Sequence, residues 1–127
     1  MKQPSFWRSF QHARAGLIWT IQTQRNARIH LTVGLLVVGA AVWLRLSLLE
    51  CSVLLLTIGA VIAGETINTT VEAIVDLLSP EWHERAKVAK DVAAGGVLIL
   101  SITAAAVGLL LLGPPLWERL IQFSSHG

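Results

Sequence analysis

The chain has 127 residues, 54% of them hydrophobic and only 14% charged, with a mean hydropathy of +0.63, which excludes an ordinary soluble domain of this size and points to an integral membrane protein. The net charge of +2 conceals an asymmetry: residues 1–49 hold six basic residues and no acid, whereas residues 50–127 hold four basic and eight acidic ones, so the two parts carry +6 and −4. The single Cys51 excludes a disulfide framework, a CxxC redox pair and a cysteine-based zinc site, and so short a chain should bury part of its apolar surface against lipid or sister subunits.

No apolar run follows Met1 and Lys2, so no cleavable signal peptide is predicted and the internal spans should direct insertion. Residues 4–25 interleave Phe6, Trp7, Phe10, Leu17, Ile18, Trp19 and Ile21 with Arg8, Arg14 and Arg25. That mixture predicts an amphipathic helix on an anionic lipid surface, in preference to a nucleic-acid-binding arm, and no nucleic-acid partner is expected. The first span is predicted over 29–46. Its uncharged centre, 31–44, has only 14 residues, and it crosses if Ile29 and Leu46 are included and Arg28, His30 and Arg45 reach out to the interfaces.

The second span, 49–78, is uncharged over 51–64 and then carries Glu65, Glu72 and Asp76. At about 100° per residue these three acids fall within roughly 40° of one another, with Asn68 and Thr69 bracketing the stripe. A carboxylate near the bilayer centre opposes insertion by about 2.5–3.5 kcal/mol, so the stripe points to a function with cations or proton transfer. Glu65 and Glu72 lie roughly 10 Å apart along the helix axis, too far to share one small hard ion, and their roles should differ. For Asp76 and Thr69 a structural role is an equal alternative: a charge marking the helix end and an interhelical hydrogen bond.

The connection 79–91 contains Ser79-Pro80-Glu81, which reads as an N-cap, a proline at the first helical position and an acidic first turn, so a helix should restart there and carry Trp82 to Asp91 toward the third span. Arg85, Lys87 and Lys90 place this connection, like the basic N-terminal arm, in the cytoplasm, leaving the 45–50 turn and the C-terminus outside. The third span is predicted over 92–113 within a 26-residue uncharged stretch, 92–117, with Pro114-Pro115 ending it. His12, His30, His83 and His126 show no metal-site spacing, and no GxxxxGK[ST] loop exists. The whole chain, 1–127, thus reads as a single all-α membrane domain.

The segment 64–76, GETINTTVEAIVD, followed by Ala89-Lys90-Asp91, resembles the signature of the prokaryotic diacylglycerol kinase family, E-x-x-N-[ST]-x-x-E-x-x-x-D with an A-K-D element before the last span. The resemblance runs from residue 6 to about residue 112. Ser9-Phe10-x-His12-Ala13, Arg25-Asn26 and His30 look more like the branch that phosphorylates undecaprenol than like the enterobacterial diacylglycerol enzymes. The resemblance implies a homotrimeric lipid kinase of the bacterial inner membrane with sites shared between subunits, using Mg²⁺ as cofactor and ATP as co-substrate. It implies Glu65 as the general base on the lipid hydroxyl, Asn68 in support, and Glu72 as a Mg²⁺ ligand. Lys90 and Asp91 match the pair at the nucleotide site; Glu81 and His83, with Trp82 between them, match the nucleoside contacts; His12 aligns with a further nucleotide-contacting position. The chain departs from the family at Gln24, where a metal-binding carboxylate is usual; Gln offers a carbonyl oxygen without charge.

The residue types agree with that chemistry, since phosphoryl transfer asks for a group on the attacking hydroxyl, a metal on phosphate oxygens and a neutralising cation. The alternative is a non-enzymatic small transporter or channel subunit using Glu65, Glu72 and Asp76 as a cation or proton path. Such a path has no need of Lys90-Asp91 or of Glu81 and His83 at its mouth.

Overall fold

The computed structural model describes residues 5–125; His126 and the first four residues, where the surface helix is predicted to begin, lie outside them. The described residues form four helices: α1 (Phe6–Thr23), α2 (Arg25–Leu44), α3 (Leu48–Leu78) and α4 (Glu84–Ser124). The last three are each long and apolar enough to cross a membrane, in agreement with the predicted all-α architecture.

The corners explain how the site residues are placed. Between α1 and α2 a single residue, Gln24, is extended (φ −101°, ψ 119°). The guanidinium of Arg28, in the first turn of α2, reaches back and donates to the carbonyls of Ile21 (3.2 Å) and Gln22 (2.9 Å). Those carbonyls have no acceptor role inside α1, so Arg28 caps one helix from within the next. α2 ends in a Schellman turn: Arg45 adopts the left-handed conformation (φ 58°), its N–H bonds Val42 O, and Leu46 N–H bonds Ala41 O, each at 3.1 Å. α3 then starts on a capping box, with Ser47 Oγ accepting from Glu50 N–H and the Glu50 carboxylate accepting from Ser47 N–H at 2.7 Å.

Two sequence expectations are corrected here. Ser79 does not cap the next helix; it closes α3, its N–H bonding Val75 O at 2.8 Å. α4 starts at Glu84 with His83 as N-cap, whose Nδ1 accepts from Arg85 N–H, so 79–83 is a true connection. Nor do Pro114 and Pro115 end the last helix, which runs through both to Ser124. Gly113 lacks the Cβ that meets a following proline ring. Beyond the prolines Arg119 stacks over the Trp43 ring at 5.5 Å and donates to the Trp43 carbonyl at 3.5 Å, holding the end of α4 against the end of α2.

α3 is the central element: it packs against α1, α2 and α4, whereas α1 meets only α2 and α3. Small residues bring the axes close. A Cβ on Gly34 would meet Ile58 Cγ2 at 2.9 Å, and one on Gly64 would meet Leu100 Cδ1 at 2.5 Å. The apolar core is thin (Ala27, Ala41, Leu44, Leu54, Val61 and Val97), while Thr20, Glu65, Asn68 and Thr69 are buried polar residues and most large aliphatic side chains face outward. Apolar outside and polar inside is the arrangement a bilayer selects.

Candidate functional site

The acidic stripe of α3 is real, and each of its members is engaged by a different part of the chain: Glu65 by α2, Glu72 by the α1–α2 corner and Asp76 by α4. Glu65 is buried, at 2% exposure. His30 of α2 approaches it, with Nε2 at 3.2 Å from Oε1, yet that oxygen has no partner in hydrogen-bonding geometry; the pair is close and off line. Ser101 of α4 completes the cluster, its Oγ 3.4 Å from His30 Nε2. Thr69, beneath Glu65, donates its hydroxyl to the Glu65 main-chain carbonyl at 2.8 Å. Its polar group is satisfied within α3.

About two helical turns beyond Glu65, toward the α3 C-terminus, Glu72 receives two amides. Gln24 Nε2 donates to Oε2 at 3.1 Å and Asn68 Nδ2 donates to Oε1 at 3.0 Å. Gln24, 48 positions away in the chain, is thereby brought to the Glu72 carboxylate. Among the described residues no three His, Cys, Asp or Glu side chains converge on one point, so Glu72 is a lone carboxylate with amide neighbours. This donor set fits Mg²⁺, which is commonly held by one or two carboxylates together with substrate phosphates. The Asn68 Oδ1 atom is buried without a partner, a carbonyl oxygen of the kind a hard cation accepts.

Toward the end of α3, Lys90 Nζ donates to Asp76 Oδ1 at 2.6 Å, and Lys87 Nζ to Asp91 Oδ2 at 2.7 Å. The hydrogen bond to Asp76 raises the Lys90 pKa above the usual lysine value, with the charges of Asp76 and Glu72 adding to it. The bond to Asp91 does the same for Lys87. These side chains border an open cleft of about 410 Å³ between the end of α3 and the start of α4, lined also by Val75, Ser79, Pro80, Glu81, Trp82, His83 and Ala86. Asp76, Glu81, Trp82, His83, Lys90 and Asp91 are therefore gathered at one mouth. Lys90 and Asp91, neighbours in sequence, do not pair with each other.

His12 is not brought to this mouth. It is exposed on α1, does not line the cleft, and sits on a helix without contact to α4. Sequence reasoning missed His30 as a partner of Glu65 and missed Ser101 altogether, and it gave Arg28 an interfacial role without the cap it places on α1. His30 and Ser101 are 71 positions apart, and nothing local marks either as a neighbour of Glu65.

Comparison with known proteins identifies the family. The family description "Prokaryotic diacylglycerol kinase" matches residues 11–112. The chain is similar to a diacylglycerol kinase of Synechocystis, 44% identical over 93% of this chain and 68% of that protein. It is also similar to an undecaprenol kinase of Bacillus subtilis, 36% identical over 87% and 90% of the two chains, and to a diacylglycerol kinase of Escherichia coli, 35% identical over 61% and 64%. Three spanning-length helices with a polar interior make this an integral membrane protein. The chain belongs to the prokaryotic diacylglycerol kinase family, and is a kinase.

Proposed function

We propose that the protein transfers the γ-phosphoryl group of Mg·ATP to the hydroxyl of a membrane lipid alcohol, either diacylglycerol, giving phosphatidate, or undecaprenol, giving undecaprenyl phosphate. The observation that carries this reading is the layout of α3. A buried carboxylate, Glu65, lies at membrane depth, and roughly 16 Å along the same helix Asp76 meets Lys90 at the edge of a polar cleft. A substrate hydroxyl that stays at the bilayer interface can then meet a phosphate delivered from water.

In this reading Glu65 accepts the lipid hydroxyl proton as that oxygen attacks the γ-phosphorus, and the bond to the β-phosphate oxygen breaks to release ADP. Lys90 holds phosphate oxygens. Glu81, Trp82 and His83 border the nucleoside part, and Asp91 keeps Lys87 in place beside it. Glu72 would hold Mg²⁺, with the amides of Gln24 and Asn68 turned over so that their oxygens in place of their N–H groups face it, and the ion would supply charge neutralisation on the phosphates. Asn68 and Thr69 fix the stripe between Glu65 and Glu72. We further propose a homotrimer in the bacterial inner membrane, with α1 on the cytoplasmic surface and the 79–83 connection facing the cytoplasm, a placement supported by the basic residues of both segments. The cation-path alternative is disfavoured because Glu72 and Asp76 are each engaged by an amide or a lysine.

Purified protein incubated with Mg·ATP and a panel of lipid alcohols tests the proposal. A phosphorylated lipid is the expected product, and its identity fixes the substrate. ATP-independent cation uptake by protein-bearing vesicles, with no lipid phosphate formed, is the result that overturns it.

A further inference from the structure

We propose that His30 is a positioning residue for Glu65: Ser101 Oγ holds the ring with its Nε2–H beside Oε1 of the Glu65 carboxylate, leaving the second carboxylate oxygen for the proton of the acceptor hydroxyl. The proposal rests on the reading of Glu65 as the base. Three helices converge here, with His30 from α2, Glu65 from α3 and Ser101 from α4.

The proton inventory assigns the tautomer. Ser101 has one hydroxyl proton, and its bond to the Val97 carbonyl at 2.8 Å uses it. What Ser101 offers His30 at 3.4 Å is therefore an oxygen lone pair. The ring nitrogen facing that oxygen must be the donor, so Nε2 carries the hydrogen and gives it to Ser101 Oγ, with Glu65 Oε1 3.2 Å from the same nitrogen. The guanidinium of Arg28, on the same turn of α2, is occupied by the carbonyls of Ile21 and Gln22. The Nε2–H is off line for Glu65, whose Oε1 lacks an aligned donor. Catalytic hydrogen bonds commonly close up only when substrate arrives. The ring is a quarter exposed, at 25%, against 3% for the Glu65 side chain, so the ring is the partner with room to turn.

His30 thereby differs from a core histidine that merely fills space. A filler is replaceable by an aromatic ring of similar volume; a donor is replaceable only by another donor. The test has two arms, both on the full-length protein in detergent or bilayer. In the first, ¹⁵N-histidine NMR reports the His30 tautomer in the wild type, in Glu65→Gln and in Ser101→Ala. The expected result is an Nε2-protonated ring whose Nε2 signal moves in both variants. This arm needs no turnover.

In the second arm, kcat and KM for Mg·ATP are measured for His30→Phe and His30→Gln. His30→Phe should lose about 100-fold in kcat, the size of a catalytic-group misplacement of an ångström or so, with KM little changed. His30→Gln, whose amide N–H can occupy the same place, should recover most of that loss. An Nδ1-protonated ring, a His30 signal indifferent to Glu65→Gln, or equal kcat values for the wild type and His30→Phe overturns the assignment. So does a His30→Gln protein that binds Mg·ATP normally and is as slow as His30→Phe. Failure of the wild type to phosphorylate any lipid alcohol, with the NMR coupling present, overturns the kinase reading instead and leaves the His30–Glu65 pairing standing.

Discussion

Gln24 is the extended residue at the α1–α2 corner, and its amide reaches Glu72 Oε2 at 3.1 Å. If Glu72 holds Mg²⁺, a carboxylate at 24 should bind the ion more tightly by about 1–2 kcal/mol, the value of one charge-assisted contact, or roughly five- to thirtyfold in affinity. Gln24→Glu should therefore lower the Mg²⁺ concentration for half-maximal activity, and Gln24→Ala should raise it. Gln24→Glu should also melt earlier than the wild type without Mg²⁺, because two carboxylates then face each other, and the deficit should disappear on adding the ion. Superimposable Mg²⁺ titrations of melting temperature would remove residue 24 from the metal site. Glu65→Gln, by contrast, should abolish turnover with Mg·ATP binding retained, checked by calorimetric ATP titration beside the lipid-phosphate assay. The acids were legible in the sequence because a carboxylate inside an apolar span has few neutral explanations. The His30–Glu65 contact was not, because it depends on how α2 is rotated against α3, and that register is set by close approach at Gly34 and Ile58, not by any motif.

At the scale of elements, the corner held by Arg28 is what aims Gln24. Removing its guanidinium leaves the Ile21 and Gln22 carbonyls without their donor, which costs roughly 1.5–3 kcal/mol for bonds to a charged group when the site is shielded, and less at an exposed corner such as this one. Arg28→Ala should accordingly raise the Mg²⁺ requirement in the same direction as Gln24→Ala, and Arg28→Ala combined with Gln24→Ala should be no worse than Gln24→Ala alone. Additive effects in that cycle would separate the cap from the metal site. The glycine contacts give a second prediction. The atom facing Gly34 is Cγ2 of the β-branched Ile58, which cannot swing away without leaving its rotamer, whereas the atom facing Gly64 is the tip of Leu100. Alanine gains about 1 kcal/mol over glycine in a helix, and overpacking costs about 1–3 kcal/mol. Gly34→Ala should thus destabilise more than Gly64→Ala in thermal unfolding, and the reverse order would refute the packing argument. Span existence followed from hydropathy alone. Helix ends did not: the Ser79-Pro80-Glu81 pattern lost to His83, and the Pro114-Pro115 pair lost to the anchoring of Arg119 on Trp43, a contact between residues too far apart in the chain for any local rule to include.

At the scale of the whole molecule, the described chain is incomplete as a nucleotide site if His12 takes part in it. His12 lies twelve residues before Gln24, roughly 18 Å along α1, and α1 makes no contact with α4, which carries Lys90 and Asp91. The thin apolar core and outward-facing aliphatic side chains likewise leave surface for neighbouring copies as well as lipid. In the proposed homotrimer a His12 that completes the site would come from the adjacent subunit. Mixed oligomers separate this arrangement from a site within one chain. His12→Ala and Glu72→Ala subunits are each expected to be strongly impaired alone. When they are unfolded, mixed in equal amounts and reassembled, a shared site joins a wild-type His12 from one subunit to a wild-type Glu72 from the next in about a quarter of the sites of a randomly mixed cyclic oligomer. Lipid-kinase activity should therefore rise to roughly that fraction of the wild type reassembled in the same way. If every site is built from one chain, each subunit carries its own defect whatever its neighbours, and mixing restores nothing.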